Sequence, residues 1–139
     1  MTGFAVGDVR RVEVNGLERL VVVLKDAATY GGVQVTLVHP YVEYATEGDL
    51  IVDGGVIGKS FSLVVHAGWR FVVPAVAVDE KLVASLPDEV VARCLRPSGS
   101  VALPAGVWAG CHRCGSFPSA ILEFKAAEWR DVGRLQAWE

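Results

Sequence analysis

Asn15-Gly16 is the feature that most restricts what this chain can become. It joins two runs rich in β-formers, "DVRRVEV" and "LERLVVVL", and Asn-Gly between such runs is the strongest short signal for a two-residue hairpin. A loop of that length fixes the register. Val14 must oppose Leu17, Glu13 must oppose Glu18, Val12 must oppose Arg19, and Arg10 must oppose Val21. Side chains alternate along a strand, so one face carries Arg10, Val12, Val14, Leu17, Arg19, Val21 and Val23. Arg10 and Arg19 then become diagonal neighbours on a mostly apolar face. Glu13 and Glu18 meet on the other face, where Arg11, diagonal to Glu18, can offset their repulsion.

Further strands follow. "VQVTLV" (33–38) reads as a third, "DLIV" (49–52) as a fourth, and 61–66 and 69–73 as a fifth and sixth parted by Ala67-Gly68. Pro40 makes the stretch after the third strand irregular because it cannot donate to a ladder. Asp79 is expected to cap a helical turn through Leu86, and Pro87 to open a second helix, "PDEVVARCL". Between 101 and 117 there is no clean period, although short strands fit. From Pro118 the spacing predicts a helix with Leu122, Trp129, Val132 and Leu135 on one side and Ala126 beside them. The expected class is mainly β (α+β): a small barrel of five to six strands, short helices after it and a helical C-terminal tail. "RPSGS" (96–100) reads as a linker, so the expected division is a barrel domain over 1–96 and an extension over 97–139.

The bulk numbers exclude several classes. The 139 residues suit one domain, or one with an appendage. Hydrophobic residues at 52% against 21% charged argue against disorder and for strands buried on both faces. A net charge of −3 is the wrong sign for a non-specific nucleic-acid binder, so any RNA role must use a local basic patch. The apolar runs are too short to span a bilayer, and the start, "MTGFAVGDVRRVEV", lacks the apolar core of a signal peptide. Three cysteines make a poor disulfide framework. The expectation is a cytoplasmic protein with reduced thiols and no membrane contact.

Four pieces in order carry a resemblance: "FAVGDVRRV", "LERLVVVL", "VQVTLVHPYVEYATEGDLIV", and "GKSFSLVVHAGWRFVVPAVAV" with "EKLVASL" after it. Together, over roughly Phe4 to Leu86, they resemble the MazF/PemK-like toxin superfamily of the CcdB/MazF type. That resemblance implies an SH3-like barrel and a homodimer. It also implies a metal-independent endoribonuclease acting on single-stranded RNA and held inactive by an antitoxin protein, with no cofactor. It implies an Arg at the start of the second strand and a Thr after the third, both at the scissile phosphate. Arg19 matches the Arg. Val42 stands where the pattern has Thr, and the nearest hydroxyls are Tyr41, Tyr44 and Thr46. The second expectation is therefore a non-catalytic barrel module, derived from that family, that binds protein or nucleic acid.

Metal-free RNA cleavage needs a base for the 2′-OH, positive charge at the phosphorane and an acid for the leaving 5′-oxygen. Arg19 offers charge and two parallel donors, or is simply a strand-end Arg with its stem on the barrel. His39, the one imidazole beside the expected site, is the candidate base or acid, or a strand-end His bonded to backbone. Arg10 is a second phosphate contact. Glu43 can hold a ribose hydroxyl, Tyr41 and Tyr44 can stack bases, and Thr46 is a substrate-side hydroxyl.

In the tail, Cys111-His112-Arg113-Cys114 has the Cys-x-x-Cys spacing of one zinc knuckle, with Cys94 the remaining thiol. A structural zinc on Cys94, Cys111 and Cys114 is the weaker alternative to no cofactor. "DGGVIGKS" ends as a phosphate loop does, but Asp53 stands where that motif needs its first Gly and a strand is expected next, so the reading is rejected.

Overall fold

The computed structural model describes residues 4–27, 32–46, 48–96, 103–110 and 118–136. Its strands are β1 (Asp8–Val14), β2 (Leu17–Ala27), β3 (Gly32–His39), β4 (Leu50–Val52), β5 (Leu63–Pro74), β6 (Ala84–Ser85) and β7 (Val107–Ala109). Its helices are α1 (Gly54–Ile57), α2 (Asp88–Leu95) and α3 (Pro118–Gln136), with 3-10 turns at Val42–Tyr44 and Ala75–Ala77. The seven strands form one antiparallel sheet in the order β6-β1-β2-β3-β5-β4-β7, curled into a half-barrel.

The β1–β2 hairpin has the register the turn dictates: Val14 faces Leu17, Glu13 faces Glu18, Val12 faces Arg19 and Arg10 faces Val21. Asn15 (φ 52°) and Gly16 (φ 83°) both adopt the left-handed conformation that a type I′ turn requires. Arg11 pairs with Glu18 at 3.6 Å on the outer face.

Two cores form, one on each side of the curled sheet. Val9, Val22, Leu24, Val38, Leu63 and Val65 pack with Val90, Val91 and Cys94 of α2. Val12, Val14, Val21, Val23, Leu37 and Phe71 pack with Val132 and Leu135 of α3. Each buried Val or Leu removes enough apolar surface from water to contribute about 1.5–3 kcal/mol. The stretch after residue 96 adds a strand as well as a helix, since β7 pairs with β4.

Four expectations are corrected. Residues 79–86 are not helical: Asp79 accepts from the Lys81 backbone N–H, and Ala84–Ser85 pairs with β1 as β6. The exposed edge of β1 offers ladder hydrogen bonds that a free helix there would leave unused. The expected fifth and sixth strands are one strand, β5, which runs through Ala67-Gly68 on a bulge opposite Thr36–Val38. With that merger, and with β6 and β7 added, the half-barrel has seven strands among the described residues where five to six were expected. On α3, Leu122 (71% exposed) and Trp129 (58%) face out, and the buried positions are Ile121, Glu128, Val132 and Leu135. The one-turn helix α1 also appears between the expected fourth and fifth strands, where no helix was expected; Asp53 caps it by accepting from Gly55 N–H.

Candidate active site

Where the start of β2, the end of β3 and α3 meet, a cleft of about 360 Å³ opens. Arg11, Glu18, Arg19, Leu20, Val38, His39, Pro40, Tyr41 and Glu128 line it. The hairpin register puts Arg19 on the face that α3 covers. Its stem lies in the wall and its guanidinium, on a side chain 17% exposed, meets two carboxylates of α3. Nη1 donates to Asp131 and Nη2 to Glu128.

The bulge in β5 supplies the next groups. Residues three apart on a regular strand face opposite sides. Here the extra residues let the rings of His66 and Trp69 stack at 4.5 Å. Thr36 Oγ1 secures the bulge, lying within hydrogen-bond reach of the His66 carbonyl and 2.7 Å from that of Trp69. Bulges re-aim side chains in this way. His66 is 1% exposed and lies between two carboxylates: Nδ1 is 3.1 Å from Asp49 Oδ1, and Nε2 is 3.3 Å from Glu128 Oε2. Lys125 of α3 donates to Asp49 Oδ2 and stands 3.0 Å from His66 Nδ1. A charge network therefore runs from the sheet to the helix through Asp49, Lys125, His66, Glu128, Arg19 and Asp131.

Burial alone would raise both buried carboxyls. The His66 and Arg19 hydrogen bonds outweigh it at Glu128, and His66 and Lys125 outweigh it at Asp49, so each sits below the ordinary range. His39 behaves in the opposite way for a base. Burial, then the nearby His66, lowers its pKa to about 3, so the ring is neutral near pH 7. Its Nδ1 accepts the Tyr41 backbone N–H at 3.1 Å, which leaves the proton on Nε2. That Nε2 is buried with no hydrogen-bond partner among the described residues.

Phe124, one turn before Glu128 on α3, stacks flat on Tyr44 at 4.4 Å and 5°, and meets His39 edge-on at 4.8 Å. Tyr41 stacks on His39 at 5.8 Å and is half exposed at the mouth.

The cleft thus unites Arg19, His39 and Tyr41 of the residues read from sequence. Arg10 does not share it. Its guanidinium donates to Asp8 Oδ2 from Nε (3.1 Å) and Nη2 (2.8 Å), and from Nη1 to the carbonyls of Asp79 (3.1 Å) and Glu80. The substrate contact read for Arg10 gives way to a structural one. Thr46 is turned away as well, its N–H and hydroxyl donating to Asp49 Oδ2 at 2.9 and 3.3 Å. Glu43 is exposed on the 3-10 turn and does not line the cleft. Val42, at the position of the expected Thr, is 39% exposed.

Of the three thiols, Cys94 is in the α2 core and burial pushes its pKa up to about 12. That is far from the thiolate a zinc site uses. Cys111 and Cys114 lie outside the described residues. His39, His66 and Glu128 bring ligand-capable atoms within 4.8 Å of one another. A metal would need a lone pair on His39 Nε2, but the Tyr41 bond keeps a proton there, and Arg19 and Lys125 add positive charge beside it. The donor set suits an anion better.

The sequence reading missed His66 as a site residue, Glu128 in the cleft wall, and the α3 side chains that contact the site's residues: Phe124 at His39, Lys125 at His66 and Asp131 at Arg19. One signal was present. Ile121, Lys125, Glu128, Val132 and Leu135 keep perfect helical spacing, so charged residues interrupt a stripe that otherwise reads as core.

No protein-family model matches the chain, and no curated protein matches it. Among solved structures the chain is similar to the Mycobacterium tuberculosis toxin MazF-mt6, with a TM-score of 0.50 and 15% identity. The match covers 69% of this chain and 99% of that one. No helix among the described residues is long and apolar enough to cross a membrane. At 15% identity the likeness speaks to architecture alone, and on that ground this chain has a MazF-like fold.

Proposed function

We propose that the chain is a toxin-type endoribonuclease that cleaves single-stranded RNA without a metal ion. The observation that carries the reading is the Arg19 guanidinium in the wall of a cleft on a MazF-like fold, with imidazole and tyrosine side chains around it. The ribose 2′-hydroxyl loses its proton to solvent as its oxygen attacks phosphorus, the bond to the 5′-oxygen breaks as that oxygen takes a proton from solvent, and the phosphorane between carries extra negative charge. Arg19 supplies two parallel donors to that charge. The neutral Nε2–H of His39 adds a third donor rather than acting as a base, since burial, which lowers its pKa to about 3, makes the ring a weak proton acceptor near neutrality. Tyr41, half exposed at the mouth, offers a ring for an unpaired base. The same reading gives a cytoplasmic homodimer partnered by a small antitoxin protein.

The test is incubation of the pure protein with a single-stranded RNA oligonucleotide in EDTA. Cleavage is expected, and Arg19→Ala is expected to lower it by about 10²-fold or more, the usual effect of removing a transition-state donor. Equal cleavage by Arg19→Ala overturns the role of that residue.

A second reading has an observation of its own. Val42 offers no hydroxyl where the resemblance implies Thr, and both arms of Arg19 are held by carboxylates. A barrel module that binds without cutting fits those facts. It is expected to form a stable complex and leave RNA intact in both the native protein and its variants.

A further inference from the structure

We infer that α3 is a built-in nucleotide mimic: Glu128 occupies the seat of the RNA phosphate and Phe124 the seat of a base. The inference rests on the endoribonuclease reading of the cleft and adds what controls access to it.

Three observations converge. Glu128 spreads its two oxygens as a phosphodiester spreads its non-bridging pair. Oε1 accepts from Arg19, and Oε2 faces His66 Nε2 at 3.3 Å. A carboxylate has no further oxygen to offer. His39, which has a ring nitrogen within 4.8 Å of ligand-capable atoms of the other two groups, keeps its Nε2 as a buried donor with no acceptor among the described residues. Buried donors are rarely left so. A phosphate, with more oxygens on a tetrahedral centre, can reach that donor as well. The orphan is what remains when a two-oxygen anion fills a site shaped for a larger one.

The second observation is Phe124. It lies one helical turn, about 6 Å, before Glu128 and stacks flat on Tyr44 at 4.4 Å. That is the contact an unpaired base makes with a tyrosine. The third is the choice of face. α3 leaves Leu122 and Trp129 exposed while burying Glu128 at 4% exposure. Ile121, Val132 and Leu135 bury the apolar side of the helix, and Glu128 is the one carboxylate taken into that buried face, where its partners are Arg19 and His66. Val132 and Leu135 anchor the end of α3 in the core at 3% and 0% exposure, so the competing segment is the part from Ile121 to Glu128. His66 then gains a role. With Asp49 at Nδ1 and its Nε2 aimed at the Glu128 seat, it is the imidazole that faces an RNA phosphate once the helix gives way.

The experiment measures binding of a fluorescent 2′-O-methyl single-stranded RNA, which cannot be cleaved by its own 2′-oxygen. Full-length native protein, Glu128→Gln, Phe124→Ala and Arg19→Ala/Glu128→Gln are compared by anisotropy, with folding checked by circular dichroism. Glu128→Gln is expected to bind about tenfold tighter than native, within the usual range for coupling between competing occupants. The gain disappears in the double variant, and inorganic phosphate competes with the RNA. Phe124→Ala is expected to tighten RNA binding without changing the affinity for inorganic phosphate. Equal RNA affinity in native and folded Glu128→Gln overturns the mimic. If Glu128→Gln does not fold, Phe124→Ala decides: unchanged RNA affinity there overturns it too. Active RNA cleavage with no affinity gain in any variant removes the mimic and leaves the nuclease standing. A clear gain with cleavable RNA left intact by every variant supports the mimic and removes the nuclease.

Discussion

Arg10 and Arg19 stand on the same face of the same hairpin, two rungs apart, and carboxylates hold both. Their partners differ in origin. Arg10 is held by Asp8, two residues away on its own strand, and by backbone carbonyls at 79 and 80. Arg19 is held by Glu128 and Asp131, on a helix that reaches it from the far end of the chain. The first arrangement closes a seam between β1 and the segment leading to β6 and cannot open without loss of that seam. The second joins the barrel to an element that can in principle be exchanged for another anion. Two arginines of equal chemistry thus close different contacts, one within the sheet and one between sheet and helix, and under the proposed function only the second is open to exchange with RNA.

The largest expected effect separates them by stability. Arg10→Ala strands the buried Asp8 carboxylate and two carbonyls, and should cost about 3–5 kcal/mol, as removal of one partner of a buried pair does. Arg19→Ala should cost less, about 1–3 kcal/mol, because Glu128 keeps His66 and Asp131 is 24% exposed to water. Urea unfolding of the two variants measures both, and an equal loss would erase the distinction.

Acid provides the next lever. Above pH 6.5 His39 is neutral in both folded and unfolded chains. Below it the unfolded ring takes a proton that the folded ring, with a pKa of about 3, refuses. Stability should therefore fall as pH drops from 6.5 toward 3, by up to about 1.4 kcal/mol per pH unit. Asp49 and Glu128, both lowered, act in the same sense further down: their contribution is complete above the ordinary carboxylate range and lost as pH falls through their folded values. His39→Phe should flatten the upper part of that slope, and a slope unchanged by the substitution would contradict the buried neutral ring.

The smallest effect belongs to the hairpin's third arginine. Arg11 and Glu18 are 52% and 59% exposed on the other face, and Arg11→Ala should change stability by less than about 1 kcal/mol. A larger loss would mean that burial does not rank these pairs.

The same division between near and far explains what could be read from sequence. All the hairpin pairs were legible because Asn15-Gly16 fixes them locally. The helix after Pro87 was legible from that proline at its start. β5 was read as two strands because Ala67-Gly68 looks like a turn, and only pairing with β3 turns it into a bulge. Residues 79–86 carry a helix-like start, yet the free edge of β1 recruits them as β6. On α3 Leu122 and Trp129 were placed on the same side as Val132 and Leu135, and no buried charge was foreseen. Leu122 and Trp129 are exposed instead, and Glu128 is buried by partners that lie 62 and 109 positions away, at His66 and Arg19. Arg19 and His39 could be picked from a resemblance and a motif order. His66 could not, since its aim depends on the bulge.

Amide hydrogen exchange of the full-length protein, with and without saturating 2′-O-methyl single-stranded RNA, tests most directly whether α3 and RNA compete for Arg19. Exchange is expected to speed up in residues 121–128 when RNA is added, while the β1–β2 hairpin stays protected. Protection of 121–128 that is unchanged or increased in the RNA-saturated protein would show that the helix and the RNA do not share a seat.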